Sequence, residues 1–578
     1  MLKRLFRWLI RTAVIVLVLF LIAAIADFVS HRVKPGSVLV VTLDGPVAER
    51  RRGGITALVS VGKETPLSQV RSALDQAGRD PRIAGVALKI IAPDMELAQA
   101  QEIAALVKDF ASHGKWTTAY LETAGEQGPG NLPYLVASAA REVAIMPQGE
   151  INLIGVGVRE IFARSAFDLL GIRPDFAAIG KYKSATNIFT ERDFTPGQRE
   201  EDEALVSDLY GQLVSQISDQ RHLAQDSIRA MIDQAPLSAE TGLKMHLVDR
   251  LEYEDAFDDR VKHRGGGEHP LVNYDDYVRP RMLPSLHRHD RIAVIYGDGD
   301  IVRNPGELGP GTASMTVDRM VDALKSARDD GSVKAIVFRI NSPGGSVLAS
   351  ELIRHAAALA ATEKPMIVSM SSYGASGGYW IATPAKRIFV EPGTITGSIG
   401  VLGGKFNIAP MAQKFGVNTG SITLGANVEM FDEFTDFTPA QEKTLREQLL
   451  GDTYRRFVKL VADSRHLTYQ QVDQVAQGRV WTGAQAAGIK LVDGLGGFDA
   501  ALEAAKTEAK LVPGVPVEMV ELPEQPSAIG QLLSGGLDAH ALLGPAASLT
   551  GTWRWMAKIV AARRAALGAA YCPLVPVI

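Results

Sequence analysis

Residues 330–353 read DGSVKAIVFRINSPGGSVLASELI, and residues 80–103 read DPRIAGVALKIIAPDMELAQAQEI. The two stretches superpose without a gap. Few residues are identical, but the pattern is shared: a short apolar strand, a turn holding Pro93 or Pro343, then a helical period. An apolar strand running through a turn into an amphipathic helix is the unit of a parallel α/β sheet.

The match extends in both directions. Val38–Val41 leads to Asp44-Gly45, and Ile292–Ile295 leads to Asp298-Gly299. Asp193-Phe194-Thr195-Pro196-Gly197-Gln198 meets Asp436-Phe437-Thr438-Pro439-Ala440-Gln441. Arg221-His222-Leu223 meets Arg465-His466-Leu467, and Leu247-Val248-Asp249 meets Leu491-Val492-Asp493. All these pairs keep the same order at offsets of 243 to 254 residues, so the chain is one unit written twice. The junction falls in 263–290, where Gly265–Gly267, Pro280 and Pro284 break the periodicity.

Composition narrows the function. Of 578 residues, 46% are hydrophobic and 22% charged, which excludes disorder as a description of the whole. Lys+Arg 61 against Asp+Glu 65 gives a net charge of −4, so no global basic field holds a nucleic acid. The single cysteine, Cys572, excludes an intrachain disulfide or a multi-cysteine zinc site, and no HExxH pair is present. No metal or cofactor is expected.

The N-terminus points to a membrane. Lys3, Arg4, Arg7 and Arg11 precede an uncharged run from Thr12 to Ala26, which orients the N-terminus to the cytoplasm. A retained anchor and a cleaved leader ending at Ala24-Ile25-Ala26 both fit, and both export the rest of the chain.

The copies differ where chemistry is expected. Asn341-Ser342-Pro343-Gly344-Gly345-Ser346 opens a helix with two glycines, whose backbone N–H groups suit a developing negative charge. The first copy has Ile91-Ala92-Pro93-Asp94-Met95-Glu96, without glycine and with two acids. Thirty residues on, Gly374-Ala375-Ser376-Gly377-Gly378-Tyr379-Trp380 places a serine between small residues at a strand-to-helix turn, as in a nucleophile elbow. Aligning Tyr134 with Tyr379 sets Asn131 opposite Ser376. No histidine accompanies this serine. Lysine acts as a base when burial lowers its pKa from about 10.4, and the first copy has Gly180-Lys181-Tyr182-Lys183-Ser184-Ala185 where the second has no lysine. Serine in one copy and lysine in the other describe one composite site.

The motifs RINSPGGSV (339–347), GASGGYW (374–380), TGSIGV (396–401) and KYKSATN (181–187) together resemble the signal peptide peptidase A family, protease IV, in its long duplicated form. The resemblance covers nearly the whole chain and implies tandem Clp/crotonase-like α/β units after one transmembrane anchor. It implies a serine endopeptidase with a Ser/Lys dyad, Ser376 as nucleophile and Lys183 as general base, with Ser398 orienting the lysine. An oxyanion hole would come from backbone N–H groups at Gly377 and at Gly344 or Gly345. The substrates would be cleaved signal peptides and other apolar peptides. The assembly would be a homotetramer, anchored once in a bacterial inner membrane with its catalytic part in the periplasm. The expected organisation is a basic stub and anchor (1–32), a lysine-bearing repeat (33–262), a linker (263–290), a serine-bearing repeat (291–520) and a tail (521–578). The rival readings are a crotonase-like acyl-CoA hydrolase or isomerase, which leaves Lys183 and the exported location unexplained, and a non-catalytic membrane scaffold.

Overall fold

The computed structural model describes residues 33–51, 53, 64–126, 128–278, 290–304, 314–512, 517–525 and 569–571. The apolar run Thr12–Ala26 and Cys572 lie outside the described residues. Among the described residues no helix is long and apolar enough to cross a membrane.

Each half builds its own parallel sheet. In the first, the strands run in the order Leu271–Asn273, Ser37–Ala48, Ile83–Asp94, Trp116–Leu121, Glu142–Ile145 and Arg250–Leu251. In the second, Glu518–Leu522, Arg291–Asp298, Val333–Ser342, Met366–Ala375 and Arg387–Val390 repeat that order, with Gly494–Leu495 beyond. The central strands are apolar on both faces because helices cover both. Leu39, Val86, Leu88 and Ile90 fill one core, and Ile336, Phe338, Val368 and Met370 fill the other.

The short repeated motifs each have a local task. Thr195 and Thr438 cap the helices that start at Pro196 and Pro439, accepting from the Gln198 and Gln441 N–H groups. His222 and His466 end long helices in the left-handed conformation, at φ 55° and 53°. Arg221 and Arg465 then reach Asp249 and Asp493, both at 2.8 Å. Those carboxylates also accept the Val143 and Ile388 N–H groups in the next-to-last strand of each order, at 2.7 Å.

Two of the devices that join the halves bear on the site. Strand Arg173–Ile179 of the first pairs antiparallel with strand Val401–Asn407 of the second over seven residue pairs, from Ile179 opposite Val401 to Arg173 opposite Asn407. Phe167, Phe176 and Phe189 pack on Phe406 across this ribbon. The second device is Arg339, 1% exposed, in the second sheet. It donates to Glu49 and Glu102 of the first half at 2.8 and 2.7 Å, and to Ser369 and Ser371 of its own at 2.8 and 2.9 Å. A buried guanidinium needs partners on every edge, and here they come from both halves.

Candidate active site

Strand Met366–Ala375 delivers Ser376 to the start of helix Gly377–Ala382. Ser376 is held at φ 52°, ψ −114°, which a residue with a Cβ adopts only under constraint. Its N–H donates to Gly397 O at 2.8 Å, fixing the turn. The glycines that follow permit close approach. A Cβ on Gly377 would meet Ser350 Oγ at 2.6 Å, and one on Gly378 would meet Ser342 O at 2.6 Å. The helix is thereby pressed against the turn at 342–346, where Gly344 and Gly345 take φ of 116° and 150°. Gly344 N–H donates to Ser342 Oγ at 3.2 Å. As the first residue of its helix, Gly377 has an N–H with no acceptor in the preceding turn.

Lys183 arrives from the other half. The ribbon strand ends at Ile179, four residues before Lys183, and its partner begins at Val401, three residues after Ser398. The pairing of Ile179 with Val401 therefore carries the lysine to the serines. Lys183 Nζ lies 3.0 Å from Ser376 Oγ, 2.9 Å from Ser398 Oγ and 3.1 Å from Ser398 O. Lys183 is 4% exposed, and Ser376 and Ser398 are fully buried.

A loop that the sequence reading passed over, 476–480, clamps this arrangement. Tyr182 N–H donates to Gln477 O at 2.8 Å, and Ser398 N–H donates to Arg479 O at 2.7 Å. Gly478, at φ 80°, lies so close that a Cβ there would sit 2.6 Å from Lys183 N and Cβ. In the sequence this glycine reads as an ordinary turn residue. Only its contact with Lys183 sets it apart. Glu201, 2% exposed, also borders the site. It accepts from Val480 N–H, and burial pushes its carboxyl up to about 8 despite that bond and the nearby Arg479 guanidinium. Asp202 beside it is raised to about 7, by burial first and then by Glu160.

Two further features surround the serine and the lysine. A cavity of about 470 Å³ opens on Lys183, walled by Phe176, Ala178, Thr186, Asn187 and Thr190. On the glycine turn, strand Ala569–Tyr571 pairs antiparallel with Gly344–Ser346. The 521–578 stretch therefore supplies a strand to the edge of the turn. Among the described residues no group of His, Cys, Asp or Glu is arranged to hold a metal ion.

The family model for Peptidase family S49 matches twice, over residues 113–265 and 358–512. The chain is 31% identical to the chloroplastic serine protease SPPA of Arabidopsis thaliana, over 87% of this chain and 74% of that one. It is 32% identical to Protease 4 of Salmonella typhi, over 78% and 73% of the two chains. It is 30% identical to Protease 4 of Haemophilus influenzae, over 81% and 78%.

Proposed function

The chain belongs to peptidase family S49 and is a serine protease, and on that premise we propose that Ser376 and Lys183 are its catalytic dyad. The observation that carries the proposal is the 3.0 Å between Lys183 Nζ and Ser376 Oγ. A neutral amine has two N–H donors and one lone pair. With its N–H groups on Ser398 O and Ser398 Oγ, the lone pair faces the Ser376 hydroxyl. Burial disfavours the ammonium and so favours this protonation state.

Ser376 Oγ attacks the peptide carbonyl and its proton passes to Lys183 Nζ. The oxyanion is received by backbone N–H groups at Gly377 and Gly345, since Gly344 N–H already serves Ser342. The C–N bond breaks, Lys183 returns the proton to the leaving amine, and an acyl-Ser376 remains. Water then attacks the acyl group, its proton passes to Lys183, and the acid is released.

The substrates are apolar peptides, signal peptides left in the membrane among them. Support comes from the paired edge at Gly344–Ser346, which accepts an extended chain as an added strand. The chain is held in a bacterial inner membrane through residues 1–32, with the site on the periplasmic side. The working form is a homotetramer. Leu169, Phe415, Ile422 and Leu424, which are 79–103% exposed around the tip of the ribbon, suit burial against further copies.

The test compares wild type, Ser376→Ala and Lys183→Ala on a labelled apolar peptide. Both variants should stay folded and lose cleavage by several orders of magnitude (about 10³-fold or more). Full activity in either overturns the dyad.

A further inference from the structure

The first half retains a cradle of its own, equivalent to the one that holds Ser376. Tyr134 Oη donates to Leu247 O at 2.6 Å, and Tyr379 Oη donates to Leu491 O at 2.5 Å. The two helices thus keep one register, and Asn131 stands where Ser376 stands. Between Asn131 and the turn at 93–96 lies a cavity of about 290 Å³, close to the lower end of ligand sites (about 300 Å³). Leu97, Val156, Leu209 and Leu213 wall it from the first half, and Tyr373 and Ile395 from the second.

Two polar side chains in its wall lack partners. Asn131 and Ser372 are 5% and 3% exposed. Asn131 Nδ2 donates to Gly155 O at 2.7 Å, but Asn131 Oδ1 and Ser372 Oγ have no hydrogen-bond partner among the described residues. Both are buried polar atoms that hydrogen-bonding groups of a ligand in the cavity can satisfy. Asp94 and Glu96, both exposed, belong to the same wall at the turn.

We propose that this cradle is a second peptide subsite, which grips an apolar stretch of the substrate chain beside a basic residue and does not cut it. The inference rests on the reading of the chain as a peptidase of apolar peptides. Asn131 Oδ1 accepts a backbone N–H and Ser372 Oγ donates to a backbone C=O, the two groups that each peptide unit presents. The apolar walls take side chains. Asp94 and Glu96 stand where the catalytic cradle has Gly344 and Ser346, so the turn repels an oxyanion and attracts an ammonium or guanidinium. Asn131 offers no nucleophile. The subsite is also within reach of the dyad. Tyr373 and Ile395 each precede by three residues a serine of the site, Ser376 or Ser398, a distance of about 10 Å along a strand.

The test uses the full chain and two substrates. One is a labelled peptide of about fifteen residues with two lysines before an apolar run. The other is a chromogenic tripeptide amide, too short to reach the cavity. Val156→Trp fills the cavity and Ser372→Ala removes one polar partner with little risk to folding. For Val156→Trp we expect the long peptide's KM to rise about tenfold, with kcat and both constants of the tripeptide within twofold. Ser372→Ala should show the same split at about threefold. Replacing the two lysines by glutamates should raise KM in wild type and leave it unchanged in Val156→Trp. An unchanged KM for the long peptide in Val156→Trp overturns the subsite, and so does an equal loss on both substrates in both variants. If wild type cleaves neither substrate, it is the reading of the chain as a peptidase of apolar peptides that fails. The subsite is then decided by fluorescence anisotropy of the long peptide on Ser376→Ala, with and without Val156→Trp. Tenfold weaker binding in the double variant supports it, and equal binding overturns it.

Discussion

Lys183 Nζ and Ser376 Oγ lie 3.0 Å apart although 193 residues separate them along the chain. The contact exists because the antiparallel ribbon of 173–179 with 401–407 carries an end of one repeat into the other. Five expectations follow from this arrangement and from the network around it.

Ser398 holds the lysine through both its hydroxyl and its carbonyl oxygen, at 2.9 and 3.1 Å. Ser398→Ala removes only the first. We expect kcat on an apolar peptide to fall about 10–100-fold with KM nearly unchanged, because orientation of the proposed base is lost and peptide binding is not. Ser398→Thr should recover part of the loss.

Gly478 touches the backbone of Lys183 and has a positive φ, so any side chain there meets both strain and a clash. Gly478→Ala should lower kcat at least tenfold while the thermal midpoint falls by only a few degrees. Gly488→Ala is the control, since a Cβ there meets nothing within 4 Å.

Glu201 should make stability depend on pH. Its folded pKa is raised to about 8 from the ordinary carboxyl value of 4.5. Between these values the folded chain holds the proton and the unfolded chain releases it. Its contribution to stability is therefore complete below about 4.5 and lost as pH rises through 8, at up to about 1.4 kcal/mol per pH unit. Glu201→Gln removes that slope. Denaturant midpoints from pH 5 to 9 should show the variant gaining on wild type as pH increases.

Arg339 joins four buried partners across the two halves. Arg339→Ala removes the cation that Glu49 and Glu102 share, leaving only Glu102 with a second one, Arg71, at a cost of about 3–5 kcal/mol. Arg354→Ala, which breaks a more exposed pair with Glu351 on one helix, should cost below about 1 kcal/mol. Urea unfolding of both variants checks the contrast.

Strand Ala569–Tyr571 covers the turn edge at Gly344–Ser346. A chain ending at residue 560 leaves that edge to the substrate. Its KM for an apolar peptide should fall severalfold, and a synthetic peptide spanning 565–574 should compete with the substrate.

Much of this was legible along the chain. The apolar strands before both turns are local features set by side-chain period, while Thr195-Pro196, Thr438-Pro439, His222 and His466 stood out as repeated motifs and only the structure made them helix starts and ends. Local signals repeat when a sequence repeats, so the duplication could be read directly. The serine elbow and glycine turn were visible for the same reason, since close approach of a helix to a turn requires small residues in sequence. The clamp at Gln477–Arg479 and the buried carboxyl of Glu201 were not. A glycine in a loop and an acid on a helix look the same whether they face solvent or a lysine from the other half.

By itself, then, the sequence determined the strand-turn-helix unit, its duplication, and the separate placing of Ser376 and Lys183 in the two copies. The tertiary structure decided how the copies meet: which strands pair across them, what surrounds Arg339, what presses on Lys183, and that the first copy's cradle remains an apolar cavity with unpaired polar atoms. The physical reason is range. Propensity, capping and periodicity act within about a dozen residues and repeat with the sequence. Pairing between the halves depends on packing and burial over hundreds of residues, which no local pattern encodes.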